Sequence, residues 1–293
     1  MKADSNSNFK PIILFLVINF SISSIFYFLI IYSGKLGGAW GLYSTGLMWS
    51  PGISALISLK LLNRKLTDLG WSWGKTKYQI QSYFVPILYG LIAYSMIWSF
   101  NLGNFYNEQF VDNLSKSFGL GSVSNGFIIV SYVLLAGIFG TIMNMGKALG
   151  EEIGWRGFLV PELSKKFGFT ATSIISGLIW GFWHLPVLLF ADYNSDTPLW
   201  YAMTCFIILV VSISFIFTWL RIKSGSLWTA VILHATHNKF IQGIFTPLTT
   251  DNGQTEYYVD EFGIIIPLVT LGFAFYYWNK RKQLTLIPNA YNL

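Results

Sequence analysis

Apolar runs of about 20 residues recur along the chain, at 11–32, 40–62, 80–101, 126–149, 170–190, 199–220, 226–245 and 262–279. A helix of that length crosses the hydrocarbon core of a bilayer. Lipid offers no partner to backbone N–H and C=O groups, so only helices and closed barrels cross it. The spacing predicts an all-α, polytopic membrane protein: a bundle of about eight transmembrane helices forming a single integral membrane domain over residues 1–293. Composition agrees, with 11% charged and 53% hydrophobic residues, where soluble chains carry about 25% charged residues. So few charges cannot cover a globular surface. Disorder and a disulfide-stapled secreted domain are disfavoured. Nucleic acid is not expected as a partner, because the basic residues behind the pI of about 9.2 sit at the ends of apolar runs. The one cysteine, Cys205, lies inside an apolar run and allows no internal disulfide and no cysteine metal cluster. The first run is too long for a signal-peptide core, and Tyr32-Ser33-Gly34-Lys35 is not a small-x-small cleavage site, so it is read as a retained helix.

The charges orient the bundle. With the N-terminus inside and the spans alternating, the inner side holds Lys2, Lys10, Lys60, Arg64, Lys65, Lys75, Lys77, Lys165, Lys166, Arg221, Lys223, Lys280, Arg281 and Lys282. The outer side holds only Lys35 and Lys116, with Glu108, Asp112, Asp192, Asp196, Asp251, Glu256, Asp260 and Glu261. Lysine and arginine near span ends mark the cytoplasmic side, so both termini are expected in the cytoplasm. Residues 63–79 read as a basic inner connector with interfacial Trp71 and Trp73, and 102–125 as a polar outer connector.

Ionisable residues inside spans are costly and rarely idle. The first group is Gly150-Glu151-Glu152-Ile153-Gly154-Trp155-Arg156. On a helix, Glu152 and Arg156 are four apart and can pair, while Glu151 lies about 100° round and is left to face something else. An unpaired carboxylate in an apolar setting suits a general base. Lys147, one turn earlier, is a rival partner for Glu151, and the bland reading is a span end with interfacial charges. Gly146, Gly150 and Gly154 form a smooth stripe that lets a neighbouring helix approach closely. The second group is Trp180 to His184, and the third is His234-Ala235-Thr236-His237-Asn238, in which His234 and Asn238 share a face. Alone, each histidine is as readily a packed polar residue as a catalyst. All three histidines of the chain fall in these two segments, which favours a shared site. Asn144 reads as packing or support. The span from 126 to 163 is too long for one straight crossing, so its helix must tilt, leave the membrane or break, with Gly137 and Gly140 as candidates for the break.

Together, Glu151-Glu152…Arg156, Trp180…His184 and His234…Asn238 resemble the CPBP family of intramembrane proteases, also called Abi or CAAX amino-terminal proteases. That family carries a Glu-Glu-x-x-x-Arg motif, an aromatic-x-x-x-His motif and a His-x-x-x-Asn/Asp motif, in that order on separate helices. The motif-bearing core is 126–245, and Trp180 stands where phenylalanine is common. The resemblance implies that Glu151 and His184 activate water, that Glu152 and Arg156 support them, and that His234 and Asn238 stabilise the oxyanion. It also implies an eight-helix bundle with a conical polar cavity open to the cytoplasmic side and the membrane. With the short basic tails, it points to a prokaryotic plasma membrane.

The expected activity is that of an intramembrane endopeptidase acting on a hydrophobic or lipid-anchored peptide, prenylated or bacteriocin-like. No cofactor is favoured. Zinc is the rival design, with Glu151, His184 and His234 as ligands and water as the fourth. Asn238, a poor zinc ligand and a good oxyanion donor, tips the reading to a metal-free, glutamate-activated water. Two other classes stand beside it: a catalytically idle binding or immunity protein of the same fold, and a proton-coupled transporter. Paired broken helices in two related halves would mark a transporter, and the sequence shows no such symmetry. The substrate and oligomeric state are not legible.

Overall fold

The computed structural model describes residues 9–284 apart from Ser122, Asp192 and Asn194. Lys2 and Asp192, used in the charge count, lie outside the described residues. The chain is all-α and polytopic. Its helices are α1 (Lys10–Ser33), α2 (Leu42–Leu61), α3 (Thr76–Ser99), α4 (Glu108–Phe118), α5 (Asn125–Ser164), α6 (Phe169–Phe190), α7 (Leu199–Ser224), α8 (Trp228–Phe240) and α9 (Ile265–Lys280). A two-residue antiparallel pair sets Asn104 opposite Thr250 and Phe105 opposite Thr249.

Helices stand at all eight expected places. Five of them, α1, α3, α5, α6 and α7, are long and apolar enough by themselves to cross a membrane. The other three fall short for local reasons. Helix α2 is serine-rich, α8 carries His234, His237, Asn238 and Lys239, and α9 has only 16 residues. On α2 the fully buried Ser50, Ser54 and Ser58 each return their hydroxyl to the carbonyl four residues back. The polar groups are thereby satisfied within the helix, and the small side chains let α5 come close.

The outer connector is not plain loop, since α4 lies within it. Asn107 caps that helix by accepting from the Phe110 N–H at 3.1 Å, one of the N-terminal donors a helix leaves open. In the inner connector Trp73 is exposed, whereas Trp71 packs on Trp228 at 6.1 Å and accepts its indole N–H.

Helix α5 answers the length problem. It continues through two π-helical turns, Ala136–Gly140 and Ile153–Leu159, and the first contains both glycines expected at a break. Widened turns of this kind are common at functional sites. The second follows directly on Glu151 and Glu152. Gly150 and Gly154 face α2 so closely that an added Cβ would meet the Met48 carbonyl oxygen at 2.8 Å and Pro51 Cβ at 2.4 Å. Gly146, the third member of the stripe, faces open space.

Candidate active site

Three helices bring the motif residues together. Glu151 and Glu152 come from α5, Trp180 and His184 from α6, and His234 and Asn238 from α8, with α7 packed behind. Glu151, His184, His234 and Asn238 all line one cavity of about 260 Å³. Lys147, Asn144, Tyr193, His237, Gln242 and Glu261 line it too.

The two adjacent glutamates do separate work. Glu152 is fully buried and takes the Arg156 Nη1 on both oxygens, at 2.9 and 3.1 Å. Its Oε1 also meets His234 Nδ1 at 2.8 Å. Arg156 lies between rings, its Cζ 4.2 Å from the centre of Trp180 and 3.8 Å from that of Phe217, which adds cation–π attraction to the ion pair. The expected Glu152–Arg156 pair is present. Glu151, 2% exposed, is not as unpartnered as its helical position suggested: its Oε2 accepts the indole N–H of Trp180 at 2.8 Å and of Trp155 at 3.3 Å. Two indole donors fix the carboxylate without neutralising it. No ion pair joins Lys147 to Glu151 among the described residues.

Hydrogen bonding also sets the histidine tautomers. His184 Nδ1 lies 2.9 Å from the Trp180 carbonyl, which can only accept. Nδ1 therefore carries the proton and Nε2 presents a lone pair. The ring is boxed by Trp183, Phe206 and Tyr193, with centroids at 4.7, 5.1 and 5.9 Å. His234 gives Nδ1 to Glu152, leaving Nε2 as its second polar atom.

A second polar cluster was not read from the sequence. His237 contacts the Tyr89 hydroxyl through Nδ1 at 2.6 Å and Glu261 Oε1 through Nε2 at 2.9 Å. Tyr193 donates to Glu261 Oε2 at 2.6 Å. The sequence reading counted Glu261 among outer-loop acids, yet it is only 6% exposed. Its signals were an acid set directly before an apolar run and a third histidine left without a partner. Burial raises the Glu261 carboxyl, but the bonds from His237 and Tyr193 outweigh it and draw the group down to about 2. Next to it, half-buried Asp260 is pushed up to about 7 by burial and by the Glu261 charge.

Two histidines and a glutamate, the set a zinc ion would use, line the one cavity. Among the described residues no three His, Cys, Asp or Glu side chains converge closely enough to hold an ion. His184 Nδ1, His234 Nδ1 and Glu151 Oε2 are committed to protein partners, which orients both Nε2 atoms and Glu151 Oε1 as the remaining polar atoms of the three groups.

The comparisons with known proteins fall on these helices. CAAX prenyl protease 2 of Methanococcus maripaludis is 27% identical over 118 residues, 39% of this chain. The alignment spans 40% of that protein's own length. Residues 133–240 match the family described as Type II CAAX prenyl endopeptidase Rce1-like. The segment bearing all three motifs thus matches the Rce1-like CAAX prenyl endopeptidases of the CPBP family, as the motifs themselves suggested.

Proposed function

We propose that the protein is an intramembrane endopeptidase that hydrolyses a peptide bond in a hydrophobic or lipid-anchored peptide. The observation that carries this reading is the meeting of Glu151, His184, His234 and Asn238, from three helices, around one cavity. Peptide hydrolysis needs an activated water and a stabilised oxyanion, and these four groups supply both. The water donates one hydrogen bond to the His184 Nε2 lone pair and its other proton to Glu151 as it attacks the carbonyl carbon. The tetrahedral oxyanion is received by the Asn238 amide and by His234 Nε2–H. Since His234 already gives Nδ1–H to Glu152, it serves as imidazolium, its charge balanced by that carboxylate. Donors preorganised in this way are worth about 2.7–4 kcal/mol each in other hydrolases. Collapse returns the proton from Glu151 to the amide nitrogen, which leaves as the amine while the water oxygen stays in the new carboxyl group.

A glutamate-activated water is preferred to zinc because Asn238, which lines the same cavity, is a poor zinc ligand and a good oxyanion donor, and no three His, Cys, Asp or Glu side chains among the described residues are grouped as an ion would need. The charge pattern favours both chain ends on the cytoplasmic side, and the resemblance with the basic tails favours a prokaryotic plasma membrane. The test is cleavage of a membrane-anchored peptide library in proteoliposomes, wild type against Glu151→Gln, with and without a zinc chelator. Loss in the variant and survival in chelator is the expected result. Loss in chelator as well would replace the mechanism with a metal-dependent one. No cleavage by the wild type, with Glu151→Gln folded as well as it is, would favour the idle binding protein.

A further inference from the structure

Where α2, α5 and α7 end, at the basic end of the bundle, the chain closes round a second cavity of about 680 Å³. Its walls are the connector between α2 and α3, the last turns of α5 and the end of α7. Sites that hold small molecules have volumes of about 300–1,000 Å³. No lining residue is shared with the cavity around Glu151, and the proposed hydrolysis does not use this one.

The cavity is charged and unbalanced. Arg64, Lys65, Lys165 and Arg221 line it against only Asp68 and Glu162, a surplus of two positive charges. Glu162 draws two of the cations together. Its Oε1 accepts from Arg64 Nη1 at 2.6 Å and from Lys165 Nζ at 2.5 Å, so guanidinium and ammonium stand side by side. Arg64 has five N–H donors and Lys165 three, and this oxygen takes one from each. Both side chains are part-exposed, at 30% and 45%, which leaves donors for a ligand. Arg221 is engaged in the wall itself, donating to the carbonyls of Arg156 and Leu69 at 2.8 and 3.2 Å. An anion with several acceptor oxygens suits such a pair of donors, and a phosphate group is one.

Two features favour the phosphate of a lipid over a free ion. The cavity has an apolar side, formed by Leu59, Phe158, Pro161 and Ile222. A free ion leaves these groups unmatched, whereas the glycerol and upper acyl chains of a lipid cover them. The height is also that of headgroups. The cavity sits where apolar helices give way to connectors, in the connector that carries Trp71 and Trp73, a residue type enriched at the membrane interface. Basic pockets between transmembrane helices on the cytoplasmic side bind anionic headgroups, and the lysine and arginine pattern assigns this end to that side.

We infer that this cavity binds one anionic phospholipid, its phosphate held by Arg64 and Lys165 and its glycerol end against Phe158 and Pro161. The site is separate from the peptide site and stands whether or not the chain cleaves peptides.

The full chain is purified in detergent, stripped of lipid and titrated with phosphatidylglycerol or phosphatidylcholine, and bound lipid is counted by native mass spectrometry. One phosphatidylglycerol should be retained roughly tenfold more firmly than phosphatidylcholine. Arg64→Gln/Lys165→Gln should lower that retention about tenfold or more. Lys75→Gln/Lys77→Gln removes the same charge from the same end but outside the cavity, and should leave retention unchanged. Equal losses in the two double variants overturn the inference, because the attraction would then belong to the basic surface as a whole. Equal retention of the two lipids by the parent overturns it as well. The paired side chains are part-exposed, so the unfolding temperature of the lipid-free variants should match the parent's; if Arg64→Gln/Lys165→Gln unfolds, Lys165→Gln alone carries the same comparison against Lys75→Gln. In a parallel arm, inorganic phosphate replaces the lipid and the unfolding temperature is followed. Phosphatidylglycerol should raise it and phosphate should not. An equal rise with phosphate, lost in Arg64→Gln/Lys165→Gln, assigns the cavity to the free ion and overturns the lipid.

Discussion

Trp180 on α6 donates its indole N–H to Glu151 on α5 at 2.8 Å, joining the second motif to the first by one charge-assisted bond. Such a bond to a charged group is worth about 1.5–3 kcal/mol. Trp180→Phe keeps a ring against Arg156 and removes only the donor. Turnover of a membrane peptide should fall roughly ten- to a hundredfold. Trp155→Phe removes the longer, 3.3 Å contact and should cost less. Equal activity of Trp180→Phe and wild type would remove the indole from the mechanism.

Arg156 and Glu152 are a fully buried pair, and removing one partner strands the other's charge. Breaking such a pair costs about 3–5 kcal/mol. Arg156→Met should lower the unfolding temperature in detergent sharply, and Glu152→Gln likewise. The double variant should be less destabilised than the two single losses combined, because neither Glu152 nor Arg156 is left to strand the other's charge. Simple additivity would mean the two residues act independently.

The glycine stripe gives an internal control. Gly154→Ala drives a Cβ into Pro51 and Gly150→Ala drives one into the α2 backbone, and overpacking of this kind costs about 1–3 kcal/mol. Gly146→Ala meets nothing within 4 Å and should leave the unfolding temperature unchanged or slightly raised. Equal destabilisation at all three positions would show that α2 does not set the constraint.

Glu261 and Asp260 bend the pH–stability curve in opposite directions. The Glu261 carboxyl, held at about 2, contributes stability that is complete above its ordinary value of 4.5 and is lost as pH falls through that window. The Asp260 carboxyl, raised from 3.8 to about 7, keeps a proton that the unfolded chain releases, so stability declines as pH rises from 3.8 towards 7. Thermal unfolding against pH should flatten on the acid side in Glu261→Gln and between pH 4 and 7 in Asp260→Asn, roughly. An unchanged curve in both variants would place these carboxyls in ordinary solvent.

The fold was legible because lipid leaves a chain few choices: the apolar runs located a helix at each of eight places, five of them long and apolar enough to cross a membrane, and Gly137 with Gly140 marked the widened turn of α5. The motif spacing gave the Glu152–Arg156 pair because four residues on one helix fix a contact without knowledge of any neighbour. Contacts between helices were harder. Nothing in the spacing says that Trp180, on another helix, reaches the same Glu151 oxygen as Trp155, since the separation of two helices in sequence carries no information on their rotation. Glu261 was missed for a similar reason. An acid beside the polar stretch 251–256 reads as solvated, and only the packing of α3, α8 and the connector before α9 shows it under Tyr193 and against His237.

The Glu152–Arg156 pair also bears on how the protein is made. Both residues sit on one helix, a single turn apart, so their bond closes as soon as that turn forms and needs no other helix to have arrived. The segment therefore enters the membrane with two of its five charges, those of Glu152 and Arg156, already cancelled, which lowers the penalty an isolated charged residue meets at the bilayer centre. His234 on α8 is synthesised later and finds the carboxylate oriented for it. Assembly of the polar centre thus follows the order of translation, with α5 as the template on which the later helices dock.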